Sequence, residues 1–196
     1  ELLSLLRIKG CLVTIDAMGC QREIAQAING AGADYLLAVK DNQPTLREDV
    51  EQEFRLAQQN GFALMDHQYF ETVEKDHGRI EQRKYWITQD VQGIGTGEKW
   101  PNLAAMAMCR AMRTVNGQTS TEDRFFITSR KSADAEGIAA AIRAHWRVEN
   151  SLHWVLDVAF NEDQSRVRAG HAAENLALIR KLALNAIRAS TSKKGG

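Results

Sequence analysis

The sequence predicts an α/β protein in which a parallel or mixed sheet is flanked by helices and followed by a mainly antiparallel β segment and C-terminal helices. A strand, helix, strand pattern over residues 11–39 indicates parallel strands, because a crossover helix joins strands that run in the same direction. Alternating runs at 69–74 and 80–88 flank a glycine turn and predict a hairpin. Long apolar stripes with helical spacing occupy residues 133–156 and 171–188.

The first part of the chain contains the parallel unit. Residues 1–8 have the apolar spacing of a short helix. Residues 11–15 and 34–39 are short apolar runs, which are typical of strands buried on both faces. Residues 21–31 have helical spacing and end in glycines, so they predict the helix between the two strands.

The middle of the chain begins with a helix that Pro44 opens, since proline is tolerated in the first turn. This helix is predicted to reach about residue 59, and its apolar side is formed by Leu46, Val50, Phe54 and Ala57. After the hairpin, residues 103–114 and 124–128 are further strand-like runs around a turn-rich segment at 115–123. In the last helix, one face is expected to carry Leu176, Ile179, Leu182, Ala183 and Ala186.

These elements predict four segments. Residues 1–43 form one part of the core, and residues 44–132 form an insertion of one helix and mainly β structure. Residues 133–189 form the C-terminal core helices, and residues 190–196 form a flexible tail.

Composition restricts the classes of function. The 196 residues are 44% hydrophobic and 26% charged, which is ordinary for a soluble globular protein. No apolar run approaches the roughly 20 residues that cross a bilayer, and no secretion signal is evident, so we expect a cytoplasmic protein without membrane contact. The net charge of zero gives no bulk attraction for DNA, which therefore requires local basic clusters. Cys11, Cys20 and Cys109 are scattered and are expected to be reduced and structural.

Asp16 is the first candidate site residue, because it ends a buried strand where open α/β sheets place their ligands. Asp is unusual in strands, so its presence needs a reason. The alternative is that Asp16 caps the helix or turn that follows.

Glu149 is the second candidate, because it lies within an apolar helical stripe. Steps of three and four residues connect it to Ile142 and His145 on one side and Leu152 and Leu156 on the other. A carboxylate in such a stripe must be paired, protonated or bound to a metal. The alternative is an ion pair with Arg143 or Arg147.

The series His145, Glu149 and His153 invites a zinc interpretation. The two histidines are separated by eight residues, or about 12 Å along a helix, whereas zinc ligands lie about 2 Å from one ion. All three therefore cannot bind one zinc, and at most one histidine and Glu149 could share a metal. His145 is more consistent with a partly buried, hydrogen-bonded histidine or with a residue that hydrogen-bonds to a metal ligand.

Two charged clusters have both functional and structural interpretations. The predicted hairpin contains a basic set that could contact DNA phosphates, namely Lys75, His77, Arg79, Arg83 and Lys84. Interleaved acidic residues favour a salt-bridged hairpin equally well. The acidic stretch of Asp157, Glu162 and Asp163 is followed by Arg166 and Arg168, which predicts a solvated, self-paired loop.

Four segments together resemble bacterial insertion-sequence transposases of the DDE class, and most of all the H-repeat-associated subgroup. They are residues 14–21 (TIDAMGCQ), 38–43 (AVKDNQ), 77–81 (HGRIE) and 145–163 (HWRVENSLHWVLDVAFNED). The resemblance covers almost the entire chain in the correct order.

The resemblance implies an RNase H-like core with three carboxylates, two Asp and one Glu, that hold two Mg²⁺ or Mn²⁺ ions. It places Asp16 second and Glu149 third, and it implies DNA cleavage and strand transfer with transposon ends and target DNA as partners. A homodimer is one assembly that we consider, but the sequence does not define the oligomeric state. The chain begins with Glu1 inside a predicted helix, so we expect a fragment that lacks the first Asp and is inactive alone.

The resemblance also has a gap. The family signature places Tyr, Arg and Lys around its Glu, whereas this chain has Ile142, His145 and Leu156 at those places. Two other functions remain open: a catalytically dead element remnant that binds DNA or a partner, and an RNase H-like nuclease that is not a transposase.

Overall fold

A computed structural model describes residues 2–76, 78–148 and 152–190 of the chain. The chain divides into two compact units, residues 1–143 and residues 144–196. No helix among the described residues is long and apolar enough to cross a membrane.

The first unit is a mixed α/β structure built on one six-stranded sheet. Its strands are β1 (Leu12–Ile15), β2 (Asp34–Val39), β3 (Gln68–Asp76), β4 (Arg79–Thr88), β5 (Ala105–Val115) and β6 (Gln118–Thr128). Their order across the sheet is β1-β2-β6-β5-β4-β3. The first two strands are parallel, and the other neighbours are antiparallel.

Helices cover both faces of this sheet. The first unit contains α1 (Leu2–Leu5), α2 (Arg22–Gly30), α3 (Pro44–Gln59) and most of α4 (Ala135–Val148). Ile28 of α2 and Phe54 of α3 share one apolar cluster with the sheet, and Ile138 of α4 belongs to a second cluster. The two sides are called the α3 face and the α4 face below. Because successive strand residues point to opposite faces, each strand contributes to both clusters.

Several predictions are confirmed. The helix α3 spans Pro44–Gln59 and buries the four predicted apolar residues. The strand β2 spans Asp34–Val39, with most of its residues buried, and α2 lies within the predicted range. The hairpin of β3 and β4 forms as predicted, although β3 extends further at both ends.

Two predictions near the N-terminus are wrong. Helix α1 ends at Leu5 rather than at residue 8, because Leu5 and Leu6 are 80% and 51% exposed and find no surface against which to pack. The first strand is half-buried rather than fully buried. It lies at one end of the described sheet and has a single neighbouring strand, so fewer residues cover it.

The turn predicted for residues 115–123 is also wrong. The chain reverses at Asn116 and Gly117, whose φ angles of 51° and 78° fit a two-residue hairpin turn, and β6 begins at Gln118. Residues 118–123 are all exposed and polar, so no apolar alternation marks them as strand. Cross-strand pairing with β5 holds them in the sheet instead.

The region predicted as an insertion, residues 44–132, contributes four strands to the same sheet as β1 and β2, since β6 pairs with β2.

The second unit contains α5 (Trp154–Val158) and α6 (Ala172–Ala189), which is within one residue of its predicted bounds. Leu156 and Leu184 are buried. Ile179 and Leu182, on the expected apolar face of α6, are each 58% exposed. The continuous helix predicted for 133–156 is described up to Val148 and again from Leu152; residues 149–151, like the predicted tail from residue 191 onward, lie outside the described residues.

Candidate active site

Asp16 lies directly after β1, at the carboxyl end of the parallel pair. Ile15 pairs with Leu37 of β2, so Asp16 continues the strand beside Ala38. Its backbone is extended, with φ −67° and ψ 177°, and its side chain is exposed. The side chain makes no capping hydrogen bond to the short 3₁₀ helix that follows at Ala17–Gly19. The capping interpretation therefore has no support, and the carboxylate faces solvent at the edge where α/β sheets place ligands.

The turn after Asp16 is held by the loop that follows β2. The side-chain amide of Asn42 donates to the Ala17 carbonyl at 2.5 Å, and that of Gln43 donates to the Cys20 carbonyl at 2.9 Å. Cys20 is fully buried, which anchors the end of the turn in the core. Two segments that are distant in sequence thus form one structure beside Asp16.

Gly19 is required in this turn by a close approach. A Cβ atom at Gly19 would lie 2.2 Å from the Cγ2 atom of Ile15, far inside a normal van der Waals contact. The absence of a side chain therefore lets the turn fold back onto the last residue of β1.

A cleft of about 530 Å³ opens beside the same turn. It is lined by Met18, Gln21, Arg22, Glu23, Asn42 and Gln43. Arg22 lies over the ring of Trp100, 6.0 Å from its centroid, at the start of α2. The surface beyond the turn is thus concave and predominantly polar, and Asp16 itself does not line it.

The nearby aspartates have other partners. Asp34 accepts a hydrogen bond from Ser129 Oγ at 3.0 Å and begins β2, about 13 Å along the sheet from the end that carries Asp16. Asp41 forms an ion pair with Arg47. Neither carboxylate is therefore placed to bind a metal ion together with Asp16 in this arrangement.

Glu149 lies outside the described residues, so its predicted role stays a prediction. Ile142, in α4, is buried in the first unit. In the second unit, His145 is partly buried and its ring meets that of Trp146 edge-on, with centroids 6.3 Å apart, while His153 is exposed. Among the residues that the structure describes, no group of three His, Cys, Asp or Glu side chains could hold a metal ion.

The predicted basic cluster is divided between the two faces of the sheet. Arg83 lies two residues before Tyr85, which packs in the apolar cluster on the α4 face. Lys84 lies two residues before Trp86, which packs in the apolar cluster on the α3 face. Because residues two apart in a strand point to the same face, Arg83 and Lys84 lie on opposite faces. By the same alternation, Arg79 lies on the α4 face and Lys75, opposite Ile80, lies on the α3 face. His77 is outside the described residues.

On the α4 face, Arg79 and Arg83 belong to a larger charged network. Arg79 Nε lies 2.9 Å from Glu81, and Arg83 pairs with both Glu81 and Glu74. The network is completed by Arg143 of α4, 2.6 Å from Glu74, and by Arg113 of β5, 4.0 Å from Glu81. Among the side chains that the structure describes here, four arginines share two glutamates.

This network continues towards the carboxyl end of the parallel strands. Arg124 makes a bidentate contact with Glu122, with both distances 2.8 Å, and this hydrogen bonding lowers the pKa of Glu122 below its ordinary value. The charge of Lys40, which directly follows β2, lowers it further. A depression of about 350 Å³ lies along this surface, between Arg83, Arg113 and Arg124. Arg113, Arg124 and Arg143 were not predicted from sequence. The strand register brings Arg113 and Arg124 next to Arg83, and the packing of α4 on the sheet brings Arg143 to Glu74.

The acidic stretch of the second unit pairs differently from the prediction. Glu162 lies 3.8 Å from Arg180 of α6, and Arg168 donates to the backbone carbonyls of Ser165 and Val167. Desolvation, together with the charges of Asp163 and Glu162, raises the pKa of Asp157.

Comparison with known proteins identifies the family. The profile of the "Transposase DDE domain" matches residues 1–186. The chain belongs to the DDE transposase family. No solved structure matches it significantly.

Its relatives include proteins of Escherichia coli. The chain is 44% identical over 200 residues to "Putative transposase YncI" of strain O157:H7, a match that covers all of this chain and 50% of the relative. It is 41% identical over 191 residues to the "H repeat-associated putative transposase YhhI" of strain K12, covering 94% of this chain and 49% of the relative. The chain thus spans about half the length of these curated relatives.

Proposed function

We propose that this chain is the part of a DDE transposase that supplies two of the three catalytic carboxylates, Asp16 and Glu149, on an RNase H-like core. The reaction of the whole enzyme is metal-dependent DNA cleavage and strand transfer. The observation that carries the proposal is the position of Asp16, an exposed, uncapped carboxylate at the carboxyl end of a parallel strand pair. Family membership supplies the class of reaction.

The donor chemistry of Asp16 fits Mg²⁺ or Mn²⁺, since hard cations prefer carboxylate oxygens. Two such ions, when bound, would activate water or a DNA 3′-hydroxyl for in-line attack on a phosphodiester. The chain's own contribution is to hold the Asp16 carboxylate in place. Asn42, Gln43 and the buried Cys20 fix the turn that follows Asp16, so the backbone that carries the carboxylate is held in place.

Residues 1–196 alone are proposed to be inactive. Three carboxylates are needed, and the other aspartates near Asp16 are committed elsewhere: Asp34 to Ser129 and Asp41 to Arg47. The third carboxylate is expected from another part of the full-length enzyme.

The partners are proposed to be transposon-end and target DNA, with the enzyme acting as a homodimer. On the α4 face, Arg79 and Arg83 lie in one charged network with Arg113 and Arg143. Strand alternation also places Asp16 on this face, after Leu12 and Thr14. DNA phosphates bound along these arginines would therefore lie on the same side of the sheet as Asp16.

The catalytic assignment is tested by substitutions in a full-length version of the enzyme. Asp16→Asn and Glu149→Gln are each expected to abolish cleavage of matching element ends and to weaken Mn²⁺ binding measured by electron paramagnetic resonance. Asp41→Asn is the matched control, because this exposed aspartate lies in the neighbouring loop and pairs with an arginine. Full activity in Asp16→Asn or Glu149→Gln would refute the assignment, and cleavage by residues 1–196 alone would refute the need for a third carboxylate.

The DNA-contact assignment is tested separately by titrating DNA at several salt concentrations. Arg83→Gln is expected to weaken binding to all sequences and to reduce the slope of log K against log salt by about one. Arg55→Gln is the control, since this exposed arginine pairs with Glu51 of α3, away from the α4 face. An unchanged slope in Arg83→Gln would exclude this residue from the DNA contact.

The same pair of assays distinguishes the alternative, a catalytically dead remnant that binds DNA or a partner. The arginine-rich α4 face would serve DNA binding in this alternative as well. A full-length version that binds DNA with the expected salt slope but never cleaves would support the remnant.

A further inference from the structure

The outer edge of the sheet at β3 is a candidate interaction surface. β3 is nine residues long and, among the described strands, has β4 as its single neighbour. A long edge strand presents backbone N–H and C=O groups that can pair with another strand.

The strand register shows which backbone groups of β3 point outwards. The two-residue turn at Asn116 and Gly117 makes the flanking residues of β5 and β6 a hydrogen-bonded pair, and such pairs alternate along antiparallel strands. When this alternation is followed across β5 and β4, the backbone N–H and C=O groups of Glu74 point towards β4, where Glu74 lies opposite Glu81. The outward-pointing backbone groups therefore belong to Tyr69, Glu71, Val73 and Lys75.

The side chains of three of these residues form a self-complementary row on the α3 face, consisting of Glu71, Val73 and Lys75. Val73 is 62% exposed, and the charged residues on either side of it are also exposed. An acidic, an apolar and a basic residue thus follow one another at two-residue steps along an edge whose hydrogen-bonding groups point outwards.

We propose that two copies of this chain associate through β3, paired antiparallel about a two-fold axis at Val73. In this arrangement Val73 faces Val73 of the partner subunit, and Glu71 faces Lys75 of the partner subunit. All of these positions point their backbone groups outwards, so this register forms the backbone hydrogen bonds and also pairs the opposite charges.

Other symmetric registers are disfavoured by charge. An axis at Glu71 would place two carboxylates opposite each other, and an axis at Lys75 would place two ammonium groups opposite each other. An axis at Glu74 would likewise place two carboxylates opposite each other, and an axis at Thr72 would place Glu71 opposite Val73, so that its charge has no partner across the strands. Val73 is therefore the centre at which the edge is complementary to itself.

The interface is small, because strand pairing alone buries less than the roughly 1,000 Å² of a stable complex. We therefore expect a weak dimer, with a dissociation constant in the micromolar range or above. Its two exposed ion pairs should make the association weaker at high salt.

The inference deepens the homodimer part of the proposed function, but its test requires neither DNA nor metal. The test is sedimentation equilibrium of residues 1–196 over a concentration series. Glu71→Lys and Lys75→Glu should each weaken self-association by about tenfold, since each creates two like-charge contacts. Lys99→Glu is the control for Lys75→Glu, because it makes the same charge change at an exposed site outside β3. This variant should leave self-association unchanged.

A mixture of the two variants gives a more specific test of the register. Glu71→Lys and Lys75→Glu are complementary to each other, so an equimolar mixture should recover association at the wild-type level through heterodimers. Val73→Pro should abolish dimers without disturbing the pairing of β3 with β4, because the lost N–H points outwards. Circular dichroism checks that each variant is folded.

Three outcomes would overturn the proposal. They are a monomer at every concentration, self-association that is indifferent to both charge reversals, and a mixture that associates no better than the separate variants. None of these bears on the assignment of Asp16, so failure here is distinguishable from failure of the proposed catalytic function.

Discussion

The turn that positions Asp16 should not tolerate a side chain at Gly19. In Gly19→Ala the new Cβ would lie 2.2 Å from Ile15 Cγ2, whereas carbon atoms in contact are about 3.5–4.0 Å apart. One of the two groups must therefore move by more than about 1 Å. Ile15 cannot turn away freely, because it is β-branched and packs against the core on the α3 face.

Overpacking of this kind costs about 1–3 kcal/mol of the free energy of unfolding. For a chain of this size each 1 kcal/mol lowers the melting temperature by about 2–4 °C, so a decrease of about 2–12 °C is expected. Urea denaturation and differential scanning calorimetry of residues 1–196 would measure both quantities. In the full-length enzyme, the same change should also lower cleavage activity, since the displaced turn carries Asp16.

Gly30→Ala is the matched control. Gly30 ends α2, and a Cβ atom there has nothing within 4 Å, so alanine should be neutral or stabilise by up to about 1 kcal/mol. If Gly19→Ala is as stable as the wild type, or if both substitutions destabilise equally, the close approach at Ile15 does not constrain the turn.

Three further predictions concern buried groups. Ser129→Ala should cost about 1–3 kcal/mol of unfolding free energy in urea denaturation, because it removes the buried acceptor, 3.1 Å away, of the Tyr35 backbone N–H; a loss below 0.5 kcal/mol would contradict this. In the native protein, Ellman's reagent at pH 8 should modify the exposed Cys11 but not Cys20 or Cys109, and modification of all three thiols without denaturant would disprove their burial. Burial raises the pKa of Cys20 from 9.0 to about 12, so the unfolded state loses this proton first and the free energy of unfolding should fall as pH rises above about 9.

The local patterns that predicted the fold best were those with a single physical interpretation. Pro44 and four apolar residues at helical spacing predicted α3 with its observed bounds. The short apolar run of β2 predicted a buried strand, and the helix before it predicted the parallel pairing with β1. In each case the residues that signal the element are also those that it buries.

Elements whose stability comes from partners distant in sequence could not be predicted in the same way. The first six residues of β6 are polar and exposed, and their pairing with β5 keeps them extended. The burial of β1 was overestimated for a related reason, since an apolar run does not show how many strands will lie beside it.

The candidate site shows the same division. The sequence by itself determined the place of Asp16, because a strand, helix, strand unit fixes which end of each strand lies at the carboxyl edge. Only the tertiary structure decided that Asn42 and Gln43 hold the turn beside it, that the predicted basic cluster is split between two faces, and that Arg113, Arg124 and Arg143 lie with Arg83. The physical reason is that side-chain direction along a strand has a period of two, whereas neighbours across strands depend on a register that no local pattern encodes.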